Sequence, residues 1–408
     1  MKKILCLIFL VLVIFIIGCG KKVEKEKEIV MWLVGSETQA MSVNEIGRDF
    51  TDETGIKVRC EAISWQEAHS KYLTSIAGGV SPDIGTMGFT WGTEFGSLGA
   101  MIDLAGQFPE DVSEMREKTF PGIWKSIDYR GKVYGIPLDM TEHIMYYRND
   151  IISKPPETWD ELTAILKELN KQGKGMIFDW GSLTWIGYSI YLWQAGGSYF
   201  DENYENCTLD TDEAVCGMEF FAKLYNEFGV PKTQIPIEQG MRTGDFPLAI
   251  SGNWKMVGLT IGAPEIKDKW DIATLPKGPS GKGTAFIGGR IMGIFTQSKM
   301  KEEAWQFIKF MFRPKNQVTL YENAWQTQDA YLPPNMNTWD LLPMKESFKQ
   351  VLKAQALEAS GPPPVLAWDG STRFVDEAIQ KVILTKKDPK NTLTQATRRV
   401  NDEVRKTR

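Results

Sequence analysis

With 408 residues, 42% hydrophobic and 24% charged, the chain is long enough for two or three domains, and its composition excludes a disordered, fibrous or many-spanning membrane protein. Lys plus Arg number 47 against 52 Asp plus Glu, and a net charge of −5 offers no basic face for a nucleic-acid backbone, so nucleic acid is not an expected partner. The 14 Trp and 12 Tyr stand beside only two His, which favours ring-stacking surfaces over imidazole chemistry.

Residues 1–18 read as a basic start, Lys2-Lys3, and an apolar run, Ile4 to Ile17, too short for a comfortable membrane span; this is the pattern of a signal peptide. The run ends in Ile16-Ile17-Gly18-Cys19, which resembles a bacterial lipobox, and the resemblance implies cleavage before Cys19 and lipidation of its sulfur. An uncleaved N-terminal anchor is the alternative, and both readings hold the chain outside the cytoplasm at a membrane surface. Residues 19–28 alternate in charge with almost no apolar content, as a flexible tether does. Loss of Lys2 and Lys3 leaves 45 basic against 52 acidic residues, a charge of −7. Cys60, Cys207 and Cys216 remain in the body; Cys60 reads as core, and pairing of Cys207 with Cys216 stays open.

In chain order, Glu28 to Val34 is a β-rich run ending at Gly35. Met41, Ile46 and Phe50 mark a helix up to Gly55, and Ile56, Val58, Cys60 and Ala62 alternate as a strand, completing a βαβ unit with a right-handed crossover. Trp65, Ala68, Tyr72 and Ile76 form a second helical stripe before the short strand at Ile84, so the N-terminal part is a doubly wound α/β domain. A crossover is expected around Tyr134 to Pro137, ahead of the apolar segment Ile144 to Tyr147. Thr158 and Glu161 stand at capping-box spacing before the stripe Leu162, Ile165, Leu166 and Leu169. Further on come a helix from Asp210, a strand from Phe246 to Ser251, a strand from Ile291 to Phe295, and a helix from Lys301 to Phe312 stopped by Arg313-Pro314. The stiff loop Gly361 to Pro364 precedes a helix from Phe374 to Leu384 and a mixed-charge tail.

Five strings carry a more specific resemblance: Phe50 to Val58, Ile76 to Ile84, Val133 to Pro137, Pro155 to Leu162, and Ala304 to Met311. In this order they resemble the extracellular solute-binding proteins of ABC sugar importers, the family that includes maltodextrin-binding protein. The resemblance implies two doubly wound α/β lobes joined by a hinge, with a ligand cleft between them that closes on the solute. It puts the crossings near Pro137 to Thr141, Asp271 to Pro276 and Arg313 to Gln317. The N-terminal lobe would hold 29–138 plus 272–313, and the C-terminal lobe 139–271 plus 314–408. The implied partners are a carbohydrate, expected to be an oligosaccharide, and the permease subunits of the transporter, with the chain acting as a monomer and without a cofactor.

A sugar has apolar faces and a hydroxyl rim, so it needs flat aromatic platforms together with fixed carboxylates, amides or guanidinium groups. By resemblance Trp254 matches a stacking position, Trp91 a cleft-facing loop after the third strand, and Trp185 lies near a stacking position in a stretch shared with Trp180, Tyr188, Tyr191 and Trp193. Trp65 opens a helix at the cleft rim, and Trp368 with Asp369 could close the cleft from the C-terminal lobe or pack as a loop. Ser36 and Glu37 follow the first strand, where open α/β sheets bind ligands. Asp139 and Thr141 lie on the first crossing. Arg290, beside glycines, suits vicinal hydroxyls or a uronate, with a structural salt bridge as its alternative.

A secreted glycoside hydrolase would share the export signal, aromatics and carboxylates, but acidic pairs are cheap among 52 acids. Gly-x-Ser-x-Gly, His-Glu-x-x-His, phosphate-loop and Cys-x-x-Cys motifs are absent, and His69 and His143 are too few for a histidine-rich metal site. The expected activity is therefore capture without chemistry; a binding protein for a non-sugar solute and a lipid-anchored adhesion module are the remaining alternatives.

Overall fold

A computed structural model describes residues 27–178, 184–329 and 331–407. The signal peptide, Cys19, all of the tether but Lys27 and Glu28, and Trp180 lie outside the described residues; Glu28 already begins a strand. No described helix is long and apolar enough to cross a membrane.

The chain opens with β1 (Glu28–Val34), α1 (Glu37–Thr54), β2 (Lys57–Ile63), α2 (Trp65–Gly78), β3 (Ile84–Gly88) and α3 (Phe89–Ser97). Each helix start has a local cause. Ser36 accepts the Gln39 backbone N–H while the Gln39 side chain returns to the Ser36 N–H, a complete capping box at α1. Gly55 ends α1 in the left-handed conformation at φ 75°, which lets β2 turn back beside β1. Next come α4 (Pro121–Ile127), β4 (Ile136–Pro137), β5 (Thr141–Tyr147), α5 (Trp159–Lys171), β6 (Met176–Phe178), α6 (Thr184–Gln194) and α7 (Asp212–Asn226). Thr158 caps α5 by accepting the Glu161 N–H at 3.2 Å, while the Glu161 carboxylate accepts from the backbone N–H of Glu157 instead of Thr158. The remainder holds β7 (Leu248–Gly252), α8 (Lys255–Gly262), β8 (Asp271–Ala273), β9 (Ile287–Gly288), β10 (Arg290–Ile294), α9 (Lys301–Met311), α10 (Pro314–Gln326), α11 (Glu346–Leu357), α12 (Trp368–Thr385) and α13 (Pro389–Lys406).

Two sheets organise these elements. The first has the order β2-β1-β3-β10-β4, with β2, β1 and β3 parallel and β10 antiparallel to both its neighbours. In the second the order is β8-β5-β7-β6, with β9 also paired to β5. Helices cover both, so each lobe is an α/β layer structure. Phe50 packs edge-on against Phe307 and Phe310 in the first lobe, and Tyr188, Tyr191 and Phe221 fill the second.

The first crossing lies at Leu138 to Met140, between β4 in one sheet and β5 in the other. The second differs from expectation: β8 pairs with β5 over Asp271 to Ala273, and β9 still pairs with β5 at Ile287 and Gly288, so the chain changes sheets at Gly289 and not at 271–276. Gly289 takes φ 146°, and a Cβ there would collide with the Asp139 carbonyl oxygen. The third crossing is also displaced. Pro314 opens α10 instead of ending the first-lobe segment, α10 packs on α1, and Trp339 meets the Phe120 ring at 5.5 Å, so the chain stays with the first lobe to about Leu342. It joins the second lobe at α11, which lies against β5 and β8. The first lobe is thus 28–138 plus 290–342, and the proline at 314 is a helix N1 residue, where its missing N–H costs nothing.

All three body cysteines are free, Cys60 and Cys207 buried and Cys216 half-buried. Burial pushes the Cys60 and Cys207 thiols up to about 12, so neither is poised as a nucleophile.

Candidate functional site

Residues just beyond β1, β2 and β3 share one edge of the first sheet, because the three strands are parallel and end together. Ser36 and Glu37 follow β1, Trp65 follows β2, and Trp91 follows β3. This is the carboxyl edge, where open α/β sheets present helix N-termini and unpaired backbone groups to a ligand. Trp65 is 47% exposed and meets Trp91 in an edge-to-face pair at 5.7 Å. His69 packs against the Trp91 ring at 5.2 Å, and its Nε2 lies 2.9 Å from a Glu94 carboxyl oxygen. The result is a partly exposed aromatic ledge with a His–Glu pair along its side.

Trp254 holds the equivalent place in the second lobe, directly beyond the carboxyl end of β7, and is 37% exposed. Its ring stands edge-to-face on His143 at 5.7 Å, and His143 in turn meets Phe286 at 5.9 Å. Phe286 continues to Trp185 at 5.5 Å and Trp185 to Trp368 at 5.2 Å, so a run of ring contacts leads from Trp254 into the second lobe's interior. At its end the next residue, Asp369, reaches the first lobe: the Thr90 hydroxyl donates to both Asp369 carboxylate oxygens at 2.9 Å. Asp369 is accessible but crowded by both lobes. That crowding pushes its carboxyl up to about 6; the Thr90 hydrogen bond opposes the rise, the Glu94 charge adds to it, and His69 counters it.

Four expected ligand contacts have other work. Trp368 is fully buried, edge-on to Trp185 and 4.5 Å from Tyr199, and Trp185 is only 6% exposed; neither can offer a ring face to a solute. Asp139 and Arg290 are both buried and spend their groups on each other. The Arg290 guanidinium donates from Nε and Nη2 to Asp139 Oδ2 and from Nη1 to the Val34 carbonyl at 2.6 Å and to Gln39 Oε1 at 2.8 Å, while its backbone N–H donates to Asp139 Oδ1 at 2.8 Å. This is the salt-bridge alternative, placed where two crossings meet the end of β1. A guanidinium so committed is not free to bind a uronate.

Of the remaining residues, Glu37 is exposed in the first turn of α1, and Thr141 is half-buried at the start of β5 opposite Gly288. Ser36 caps α1 and also donates to Asp329 at 2.9 Å, with Thr38 donating to the same oxygen at 2.6 Å, which ties the loop after α10 to the β1–α1 turn. Sequence reasoning did not single out Thr90, Glu94 or the role of His69. Their signal was spacing: Trp65 with His69, and Trp91 with Glu94, lie three to four residues apart on α2 and α3, so each carries a polar group beside its aromatic. Among the described residues no group of three or more His, Cys, Asp or Glu could hold a metal ion.

Comparison with known proteins agrees with this architecture. Residues 45–343 match the family described as bacterial extracellular solute-binding protein. The maltotriose-binding protein of Pyrococcus abyssi is 24% identical over 335 residues, covering 78% of this chain and 68% of that protein. A maltooligosaccharide ABC transporter solute-binding lipoprotein of Streptococcus pneumoniae is 23% identical over 337 residues and 76% of each chain. Among solved structures, the sugar-binding protein MalE of Xanthomonas citri superposes with a TM-score of 0.83 at 21% identity over 93% of this chain and 98% of its own. The two-lobe fold is therefore shared at low identity, and the chain belongs to the bacterial extracellular solute-binding protein family.

Proposed function

We propose that the chain captures a carbohydrate, an oligosaccharide in particular, between its lobes and delivers it to the permease of an ABC transporter. The observation that carries this is the presence of aromatic side chains together with carboxyl groups on both lobes: exposed Trp65 and half-buried Trp91 with Glu37 and Glu94 on one, exposed Trp254 and the lobe-bridging Asp369 on the other. Indole faces suit the apolar faces of sugar rings, and carboxylates accept from hydroxyl donors. Relatives named for maltotriose and maltooligosaccharide binding support the ligand class, and the lipoprotein among them supports an anchor at Cys19 on the outer face of the membrane. Ser36 and Thr141 complete the proposed contact set. The protein acts as a monomer and leaves the sugar chemically unchanged, in keeping with a family of transporter binding proteins.

Calorimetric and fluorescence titration of the chain from Lys27 onward with mono- and oligosaccharides, neutral and uronate-bearing, tests this. Neutral oligosaccharides are expected to bind with a tryptophan signal, and Trp91→Ala and Trp254→Ala should each weaken binding about tenfold, the scale of one lost aromatic contact. Uronates should gain nothing, because Arg290 is tied to Asp139. Binding of amino acids or polyamines with no response to any sugar would overturn the ligand class while leaving the fold untouched.

A further inference from the structure

Thr90 and Asp369 sit on different lobes, each the second residue of its helix, α3 and α12. Both side chains are short and both backbones are pinned by a buried aromatic next door, Phe89 at 3% exposure and Trp368 at 0%. Their contact is therefore set by where the lobes stand, not by a flexible side chain reaching across a gap. A Thr hydroxyl carries one proton, and both carboxylate oxygens lie 2.9 Å from it, so the bond keeps its acceptor through small rocking of one lobe on the other. Two helix N-termini converge on the carboxylate, α12 from its own side and α3 from the other, and both favour negative charge there.

We propose that Thr90 and Asp369 form an interlobe latch, a bond of the protein's own that favours the closed arrangement independently of solute and positions the Trp65–Trp91 ledge against the second lobe. The latch rests on the reading of this gap as the capture site and adds to it a reason for the lobes to remain together. Because the bond is made by the chain itself, its energy is present before a solute arrives, and the solute must supply only the remainder of the closing free energy. A hydrogen bond to a charged acceptor at this site is of the size that changes an open-to-closed ratio about tenfold.

Small-angle X-ray scattering tests the latch on the chain from Lys27 onward, unfolded and refolded to strip any carried solute and measured without added sugar. Thr90→Val and Asp369→Ala should each raise the open-to-closed ratio about tenfold over wild type and enlarge the radius of gyration. Asp369→Asn should fall between wild type and Asp369→Ala, since its amide oxygen still accepts from the Thr90 hydroxyl but without the charge that strengthens the bond. Circular dichroism melting confirms that each variant folds; both side chains lie at the lobe surfaces, so the melts should coincide. Equal scattering of wild type, Thr90→Val and Asp369→Ala would overturn the proposal, as would an Asp369→Asn variant as open as Asp369→Ala. Scattering without sugar is indifferent to ligand identity, so failure of the carbohydrate reading leaves this comparison intact.

Discussion

Arg290→Met is expected to lower stability by about 3–5 kcal/mol, the cost of leaving one partner of a buried ion pair uncompensated. Asp139 would then be enclosed as a carboxylate whose guanidinium is gone, with the Arg290 backbone N–H as its remaining donor. The loss reaches further than one pair, because Nη1 also holds the Val34 carbonyl and Gln39, at the junction of β1 with α1. Arg290→Lys should recover only part of the loss, since an ammonium cannot reproduce the fork that reaches Asp139 and β1 together. Asp139→Leu with Arg290→Met should cost less than Arg290→Met alone, because replacing both charges removes the desolvation penalty. The check is the shift of urea midpoints in this double-mutant cycle. Equal midpoints for wild type and Arg290→Met would mean that the hinge does not depend on the pair.

The fate of Arg290 also marks how far the sequence could be read. A glycine-flanked arginine fits a ligand cradle and a tight hinge equally well; what decides is Asp139, 151 residues away in sequence, whose carboxylate is brought to it by a crossing. The βαβ units were legible because their causes are local: the alternation of β2, the Ala68–Tyr72 stripe of α2, the Thr158 cap of α5. The lobe boundaries were not, since whether Asp271 to Ala273 sits in one sheet or the other depends on pairing with β5, and no residue in the strand announces its partner. The mixed-charge tail is in fact the 18-residue α13, packed on α12 through Leu393, Ala396, Val400 and Val404. Its apolar stripe is spaced at three to four residues but diluted by Lys, Arg, Asp and Glu on the solvent side, so composition hid what periodicity held. At the candidate site Trp65, Trp91 and Trp254 stand at strand ends as topology predicts, whereas Trp368 lies one residue from the cleft-facing Asp369 and points the other way into the core. A one-residue difference in facing is a matter of helix rotation, which depends on packing with Tyr199 and Trp185.

Glu142→Gln should stabilise the protein at neutral and alkaline pH and leave it unchanged in acid. Glu142 lies on β5 immediately after the first crossing, fully buried, with both carboxyl oxygens enclosed and without a hydrogen-bond partner among the described residues. Its side chain shares a strand face with Ile144 and Tyr146, while His143, on the other face, carries the Trp254 ring. Burial alone pushes the Glu142 carboxyl well above its ordinary 4.5, so the folded protein keeps this proton while the unfolded chain releases it. A folded group that binds its proton more tightly contributes its full stability below the unfolded value, and that contribution is lost as pH rises toward the folded one. The wild type is thus expected to lose about 1.4 kcal/mol per pH unit relative to Glu142→Gln, beginning near the unfolded value and ending where the buried acid ionises. Glutamine keeps the shape and remains neutral, so urea midpoints followed from pH 4 to pH 8 should coincide at the acid end and separate as pH rises until the buried acid ionises. A difference that is flat across this range would show that the carboxyl finds a compensating charge in solution. A difference that grows with pH would instead mean that β5, which follows the first crossing and packs His143 against the Trp254 ring, is held by a neutral acid, so that the stability of this strand falls as protons become scarce.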